Sequence, residues 1–248
     1  SLISALKPGV WRSLTRSVPT ATVLSVGARY EIVLSDYWGY PPWSKGRPYD
    51  DNTAFLDLLR TTAQALNGQI AVWEVWNEPD PAFGLNFWDG TEQQFFQLYL
   101  ATYQTLRSVL GANALIAGPS ITRYQPDYIK RFADFCLANG CEINVLTWHE
   151  MGADRPLSTI TDHLQAMRLE FVNNPAYAAL RMKEIHINES VGPTETYNPA
   201  ASLTYVQYLE RGGADAAARA CWAVNGVSDC FNNSLDGLIT PDTWQPRS

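Results

Sequence analysis

Short apolar segments rich in β-branched residues alternate along the chain with longer amphipathic segments. This alternation is typical of βα units, in which each strand of a parallel sheet is followed by a helix. The apolar segments predict seven strands, over residues 9–14, 30–35, 70–76, 115–118, 143–148, 184–188 and 219–224.

The segments between these strands carry apolar residues at helical spacing, as with Phe55 and Leu59 in the first of them. Asp51 or Asn52 stands just before that helix and is a candidate N-cap. The Gly212–Gly213 pair is predicted to end the last helix. The helices are predicted over residues 51–66, 91–110, 126–139, 158–171 and 197–211.

Alternating strands and helices predict an α/β fold, a (β/α)8 TIM barrel in one domain over residues 1–248. The first strand is not recognised, because the apolar residues 2–6 resemble the end of a helix, and no last helix is seen after Pro241. An incomplete barrel leaves two unpaired strand edges. Three explanations stay open: a shortened chain, a partner chain that pairs the open edge in a homo-oligomer, or a strand that the pattern does not reveal.

The composition of the chain argues against some classes of binding partner and suits others. The formal net charge is −7 and Lys and Arg form no basic stripe, which argues against nucleic acid and anionic membranes as partners. The sequence contains no apolar run of the roughly 18 to 20 residues that a membrane span needs. With 9 Trp and 12 Tyr, the chain is rich in side chains that suit stacking on sugar rings as well as core packing.

The four cysteines, Cys136, Cys141, Cys221 and Cys230, allow three disulfide pairings. Their two close spacings favour local disulfides that close short loops in an exported protein, either secreted or periplasmic. The alternative is four free thiols in a cytosolic enzyme. Neither pair has the CxxC spacing, so no zinc site is expected. No signal-peptide pattern is present at the start of the sequence.

Two predicted strands lead into a glutamate, Glu78 after the third strand and Glu189 after the sixth. Catalytic groups of a (β/α) barrel lie at the carboxyl ends of its strands. Because side chains alternate along a strand, Glu78 is expected on the face of Glu74 and Trp76, and Glu189 on the face of Ile187. Retaining glycoside hydrolysis needs two carboxyl groups about 5 to 5.5 Å apart, which two such glutamates can supply.

The motifs around these glutamates resemble those of clan A glycoside hydrolases. Trp76-Asn77-Glu78-Pro79 looks like the acid/base motif of the clan's fourth strand, and Ile187-Asn188-Glu189 falls where its seventh strand carries the nucleophile. Thr147-Trp148-His149 resembles the Trp-His element of family 39, the most similar family. Arg12 resembles the Arg of the clan's second strand, and Cys221-Trp222 matches its last strand.

The resemblance implies a role for each residue. Glu78 would be the acid/base of a retaining hydrolase of β-linked glycosides, and Glu189 the nucleophile, kept ionised by Arg12. Asn77 would hydrogen-bond the 2-hydroxyl of the sugar, and His149 would orient a carboxylate or contact the substrate. This mechanism needs no metal and no organic cofactor. The candidate stacking residues are Trp38, Trp43 and Trp222.

Three departures from the family leave alternatives open. Met151 stands where an aromatic residue, usually Tyr, follows the sixth-strand His, and the first strand and last helix are not visible. These departures favour a catalytically silent carbohydrate-binding protein, whereas the two glutamates favour an enzyme. A transglycosylase would use the same carboxylates. Some of these residues could have structural roles instead. Arg12 could form a salt bridge with Glu74, and Trp38 and Trp43 could pack in the core.

Overall fold

The computed structural model describes residues 6–13, 19–80, 87–152, 156–196, 198–220, 240 and 245. Within them, seven parallel strands form one sheet in which each strand pairs with its neighbours in chain order. The strands are β1 Val10–Ser13, β2 Arg29–Val33, β3 Val72–Glu74, β4 Leu115–Ile121, β5 Val145–Glu150, β6 Glu184–Ser190 and β7 Ala216–Arg219.

The predicted helices are confirmed to within a few residues, and two short α-helices and one 3₁₀ helix were not predicted. The two additional α-helices are α1 Thr20–Ser25 and α2 Ser35–Trp38. The remaining helices are α3 Thr53–Ala65, α4 Glu92–Leu110, α5 Pro126–Asn139, α6 Thr159–Met167 and α7 Pro199–Gly212, with a π-helical turn at Arg168–Val172 and a 3₁₀ helix at Pro175–Leu180.

Capping side chains and glycines lie at the ends of several helices. Thr91 caps α4 in a capping box with Gln94, each side chain accepting a hydrogen bond from the other residue's backbone. Asn52 occupies the N-cap position of α3 without a side-chain cap, and the preceding Asp51 accepts from the backbone of Thr53 at 2.9 Å. Gly213 ends α7 in a left-handed conformation that costs glycine little.

The sheet curves into a nearly closed barrel, which confirms the predicted fold class. β1 and β7 approach each other to within 8 Å between Cα atoms, although no ladder joins them in the described residues. The last strand lies at Ala216–Arg219, earlier than the predicted 219–224, of which residues 221–224 lie outside the described part. Residues 1–5 and 221–239 are likewise outside it.

Apolar side chains fill the layer between the sheet and the helices. Trp73, Ile185 and Ile187 belong to this layer and pack with helical residues such as Leu59 and Phe95. A second, smaller group of apolar residues, Val72, Ala117 and Val145, packs together on β3, β4 and β5, where Ala117 pairs with Val145.

The barrel interior near the mouth is polar, and the contacts there correct part of the predicted side-chain directions. Glu74 contacts Arg12 of β1 and Asn188 of β6, neither of which is on a neighbouring strand, so Glu74 points inward. Trp76 instead packs outside with Phe55 of α3, and Ile187 also lies in the outer layer. Glu74 and Glu78 thus both face the interior, as expected, whereas the expectation that Trp76 shares this face, and that Ile187 shares the face of Glu189, is wrong.

Cys136 and Cys141 are free, buried thiols in this structure. The local disulfide expected between them is therefore absent, and both side chains serve as small apolar parts of the core around α5. Burial raises the pKa of the Cys136 thiol far above its ordinary value. Cys221 and Cys230 lie outside the described residues. Among the helices that the structure describes, none is both long enough and apolar enough to cross a bilayer.

Candidate active site

Glu78 reaches the barrel mouth through an unusual backbone conformation. Its φ is 49°, in the left-handed region that non-glycine residues seldom adopt, and its amide donates to the Ser120 carbonyl at 2.9 Å. The turn places the buried carboxylate against β5, where Glu78 Oε1 lies 2.9 Å from Nδ1 of His149. Backbone strain of this kind is often retained at functional sites.

Glu189 reaches the same place through a β-bulge in β6. Trp148 pairs with Ile187, but the next residue, His149, pairs with Glu189, so Asn188 is the extra residue. The bulge lets Asn188 and Glu189 both turn inward, which strict alternation would forbid. Asn188 donates to Glu74 at 2.5 Å, and Glu189 faces His149.

The carboxylates of Glu78 and Glu189 lie close together at the barrel mouth. One carboxylate oxygen of Glu78, one of Glu189 and a ring nitrogen of His149 lie within 4.8 Å of one another. Retaining glycosidases hold their two carboxyl groups about 5 to 5.5 Å apart, whereas inverting enzymes hold them roughly 6.5 to 9.5 Å apart to admit a water. The two carboxylates are therefore close enough to act on the same glycosidic bond.

Arg12 joins the acidic residues of the mouth. Its Nη1 donates to Glu189 at 2.8 Å, its Nε donates to Glu74 at 2.6 Å, and its Nη2 donates to Asn77 at 2.7 Å. The two contacts considered for Arg12 from the sequence, one with Glu189 and one with Glu74, are therefore both present, because one guanidinium pairs with both glutamates. Asn77 is fixed by the same contact, with its side-chain oxygen turned towards Arg12.

The pKa values of the buried acids Glu189 and Glu74 are shifted in opposite directions. Burial alone would raise the pKa of Glu189, but the charges of His149 and Arg12 outweigh it and hold that pKa below its usual value. Burial dominates for Glu74 and raises its pKa despite the pair with Arg12. The pKa of His149 is raised: burial opposes protonation, but the charge of Glu189 and the contact with Glu78 overcome it.

Ser120 and Asn188 are site residues that the sequence did not reveal. The Ser120 hydroxyl donates to Glu74 and lies 3.3 Å from Nε2 of His149, while Asn188 donates to it at 3.0 Å. The only available signal for either was its position at the carboxyl end of a strand. Through Ser120, the buried Glu74 is connected to the imidazole that contacts Glu78.

A second chain of hydrogen bonds connects the segment of Asn77 and Glu78 to α2 and to Tyr40 just after it. The Tyr40 hydroxyl donates to Asp36 and lies 2.7 Å from Ser35 Oγ, which accepts from the Asn77 amide at 3.1 Å. Burial raises the pKa of Asp36 to about 7, partly offset by Tyr40 and Arg12. Asp36 is therefore an additional titratable carboxyl near the mouth, which the sequence did not single out.

The candidate stacking residues have different surroundings. Trp38 is only 5% exposed, packs edge-on against Phe55 and donates to the Gly46 carbonyl, so its surroundings favour the packing role over the stacking role. Trp43 is partly exposed and remains a candidate platform. Trp222 lies outside the described residues. Met151 is partly exposed and brings no hydroxyl to the site.

Glu78, His149 and Glu189 also form the one group in the described residues whose spacing would suit a metal ion. Arg12, however, already places a positive charge 2.8 Å from Glu189 Oε1. A cation bound to the three ligands would be repelled by this guanidinium at close range. The contact between Arg12 and Glu189 therefore disfavours a metal ion at these three residues.

Comparison with known proteins agrees with this geometry. The family model described as "Glycosyl hydrolases family 39" matches residues 68–217, which include both glutamates and His149. The chain belongs to glycosyl hydrolase family 39. It is 29% identical over 106 residues to a β-xylosidase from Geobacillus stearothermophilus, and 30% identical over 101 residues to a β-xylosidase from Caldicellulosiruptor saccharolyticus.

The family 39 chain matches these relatives over part of their length. The aligned segments cover 41% and 40% of this chain, and 20% of each β-xylosidase. A solved structure from Neocallimastix frontalis superposes with a TM-score of 0.71 and 22% identity, over 96% of this chain and 59% of that one. This likeness supports the barrel fold.

Proposed function

We propose that this family 39 chain is a retaining hydrolase of β-linked glycosides, with Glu78 as acid/base and Glu189 as nucleophile. The observation that carries the proposal is the approach of one oxygen of each carboxylate to within 4.8 Å, in unequal surroundings. Glu189 is held ionised by Arg12 and His149, as a nucleophile requires.

In the first step, the Glu189 carboxylate attacks the anomeric carbon as the bond to the leaving oxygen breaks, and Glu78 gives its proton to that oxygen. In the second step, Glu78 takes a proton from water as the water oxygen attacks the same carbon and Glu189 is released. Two inversions give net retention. His149 contacts Glu78 at 2.9 Å and orients its carboxyl group in both steps.

Asn77 and Arg12 position the sugar and the nucleophile. The Asn77 oxygen is held by Arg12, and among the described residues its side-chain nitrogen has no hydrogen-bond acceptor, so this nitrogen can donate to the 2-hydroxyl of a sugar. This contact gains strength as the oxocarbenium-like transition state forms. We propose a β-xyloside as the first substrate to test, because the two relatives from Geobacillus and Caldicellulosiruptor are β-xylosidases.

Hydrolysis of a panel of aryl β-glycosides tests the proposal, with the unsubstituted chain compared with Glu189→Gln and Glu78→Gln. We expect Glu189→Gln to abolish activity on every substrate. Glu78→Gln should retain the formation of the covalent intermediate on substrates with a good leaving group, and azide should then restore turnover. A folded chain that binds sugars but hydrolyses none of the panel would support a silent carbohydrate-binding protein instead. Transfer of the glycosyl group to added sugar acceptors in place of water would indicate a transglycosylase.

A further inference from the structure

A cavity of about 760 Å³ opens beside the barrel mouth, apart from the two glutamates. This volume is within the range of about 300 to 1,000 Å³ that is typical of ligand sites. The loop after β2 supplies most of its wall, and Asp89 closes the other side. The lining residues are Pro41, Pro42, Trp43, Gly46, Arg47 and Asp89.

The wall combines a flat apolar surface with an oriented carboxylate. Trp43 donates its indole N–H to Asp89 Oδ1 at 2.8 Å, and the Tyr49 hydroxyl donates to the same oxygen at 2.6 Å. These two bonds fix the carboxylate before any ligand arrives. The indole ring of Trp43 is itself held by contacts with Tyr49, Trp76 and Trp88 at centroid distances of 6.1 to 6.3 Å.

Arg47 completes the polar part of the wall. Its Nε lies 3.7 Å from Asp89 Oδ2, and the side chain is 54% exposed. Within the described part of the chain its terminal guanidinium nitrogens make no hydrogen bond, so they are available to a ligand. Because Asp89 and Arg47 offset each other's charge, the cavity favours a neutral ligand that both donates and accepts hydrogen bonds, in contact with an apolar face.

The cavity is also adjacent to the catalytic loop. Its wall comes from the loop that follows β2 and, through Asp89, from the residues that follow β3 and precede α4, and both lie beyond the carboxyl ends of strands. A chain of sugars that has its cleaved bond at Glu78, which also follows β3, can therefore extend over this wall. A pyranose ring offers apolar C–H groups to the indole and hydroxyl groups to the Asp89–Arg47 pair.

We infer that this cavity is an outer subsite for a β-linked oligosaccharide, with Trp43 as platform and Asp89 and Arg47 as hydrogen-bonding partners of a sugar ring remote from the cleaved bond. The inference rests on the proposed function and specifies its substrate class. Chains of several sugars should bind more tightly than single glycosides.

Calorimetry with β-1,4-linked oligosaccharides of xylose, glucose and mannose, from one to six units, tests the subsite. The Glu189→Gln chain is used so that hydrolysis does not consume the ligand. We expect affinity to rise about tenfold or more from the short to the long members of at least one series, and Arg47→Met to remove most of that rise. Arg60→Met is the matched control, because Arg60 is also an exposed arginine paired with an aspartate, Asp57, and should keep the rise.

Trp43→Ala provides a second variant with the same expected direction. Thermal unfolding of this variant shows whether the aromatic cluster survives, and Arg47→Met keeps the test decisive if it does not. A flat affinity in all three series, or a rise that Arg47→Met leaves intact, would overturn the subsite. Failure of the proposed function would be seen separately, as absence of aryl glycoside hydrolysis by the unsubstituted chain.

Discussion

Arg12 donates a hydrogen bond of 2.8 Å to Glu189, although 177 residues separate them in the sequence. The contact crosses the barrel interior from β1 to β6, and the same guanidinium also pairs with Glu74. A fixed positive charge therefore lies beside the carboxylate that we propose as nucleophile. The arrangement allows Glu189 to stay ionised although it is largely buried, with its side chain 16% exposed.

Replacing Arg12 with Met should shift the pH dependence of hydrolysis. The pKa of Glu189 is held low partly by Arg12, so its loss should raise that pKa and move the acid limb of kcat/KM to higher pH. We also expect kcat/KM to fall by about 100-fold or more at the optimum. The measurement is a pH–rate profile with an aryl β-glycoside.

Arg107→Met is the matched control for this change. Arg107 is a similarly enclosed arginine that donates at 2.6 Å to Glu142 and at 2.6 Å to Asn144, away from the mouth. Both variants should lose stability, by about 3 to 5 kcal/mol for a broken buried pair. Only Arg12→Met should shift the acid limb. An equal shift in both variants would show that the effect is a general consequence of destabilisation.

His149→Gln should lower activity by disturbing Glu78. The imidazole contacts Glu78 at 2.9 Å and its charge also lowers the pKa of Glu189, so we expect about a 10- to 100-fold fall in kcat and an acid limb at higher pH. His163→Gln is a suitable control, because His163 lies 2.7 Å from another glutamate, Glu150. Unchanged kinetics in His149→Gln would contradict its positioning role.

Asp36→Asn should change stability in a defined pH range. The folded-state pKa of Asp36 is about 7, and its unfolded value is about 3.9, so the folded protein binds the extra proton between these values. The free energy of unfolding contributed by this group therefore falls as pH rises from about 4 to 7. Asn retains an acceptor for Tyr40 without the charge.

Urea unfolding at pH 5 and pH 8 measures this effect. The stability of Asp36→Asn relative to the unsubstituted chain should be higher at pH 8 than at pH 5. A difference that does not change with pH would show that Asp36 titrates near its ordinary value in the folded protein.

His186 should make the free energy of unfolding depend on pH in a higher pH range than Asp36 does. It lies 2.8 Å from Glu31 and 2.7 Å from Glu184; burial lowers its pKa, but these contacts outweigh burial and raise it to about 9. Its stabilising contribution is therefore complete below an unfolded pKa of about 6.5 and is lost as pH rises through 9. Urea unfolding at pH 6 and pH 9.5 should show this loss in the unsubstituted chain but a smaller one in His186→Gln. Equal losses in both would contradict it.

The fold could be predicted from the sequence because buried positions recur with one spacing in helices and with another in strands. Each predicted strand overlaps an observed one, and the helix over residues 126–139 matches α5 at both ends, where Pro126 begins it and Gly140 ends it. The last strand was displaced because Ala216–Arg219 is rich in alanine and carries little β-branched signal. Neither short helix, α1 nor α2, is long enough to show a helical period.

The direction of the two glutamates was predicted, but the directions of their neighbours were not. Strand ends identified Glu78 and Glu189 and pointed them towards the mouth, whereas alternation wrongly placed Trp76 and Ile187 on the same faces. Glu78 turns through a left-handed residue, and Glu189 is turned by the bulge at Asn188. Neither irregularity has a period, so a pattern of apolar positions cannot reveal it. Ser120 was missed for the same reason, since a register shift in β4 directs it inward.

Trapping of the covalent intermediate tests the central claim most directly. The chain is incubated with 2-deoxy-2-fluoro β-glycosides of xylose, glucose and mannose that carry a dinitrophenyl leaving group, and its peptides are then analysed by mass spectrometry. The account predicts one glycosyl adduct on Glu189 and none in Glu189→Gln. An adduct on Glu78 or on another residue, or turnover of natural glycosides to a product of inverted configuration, would contradict it.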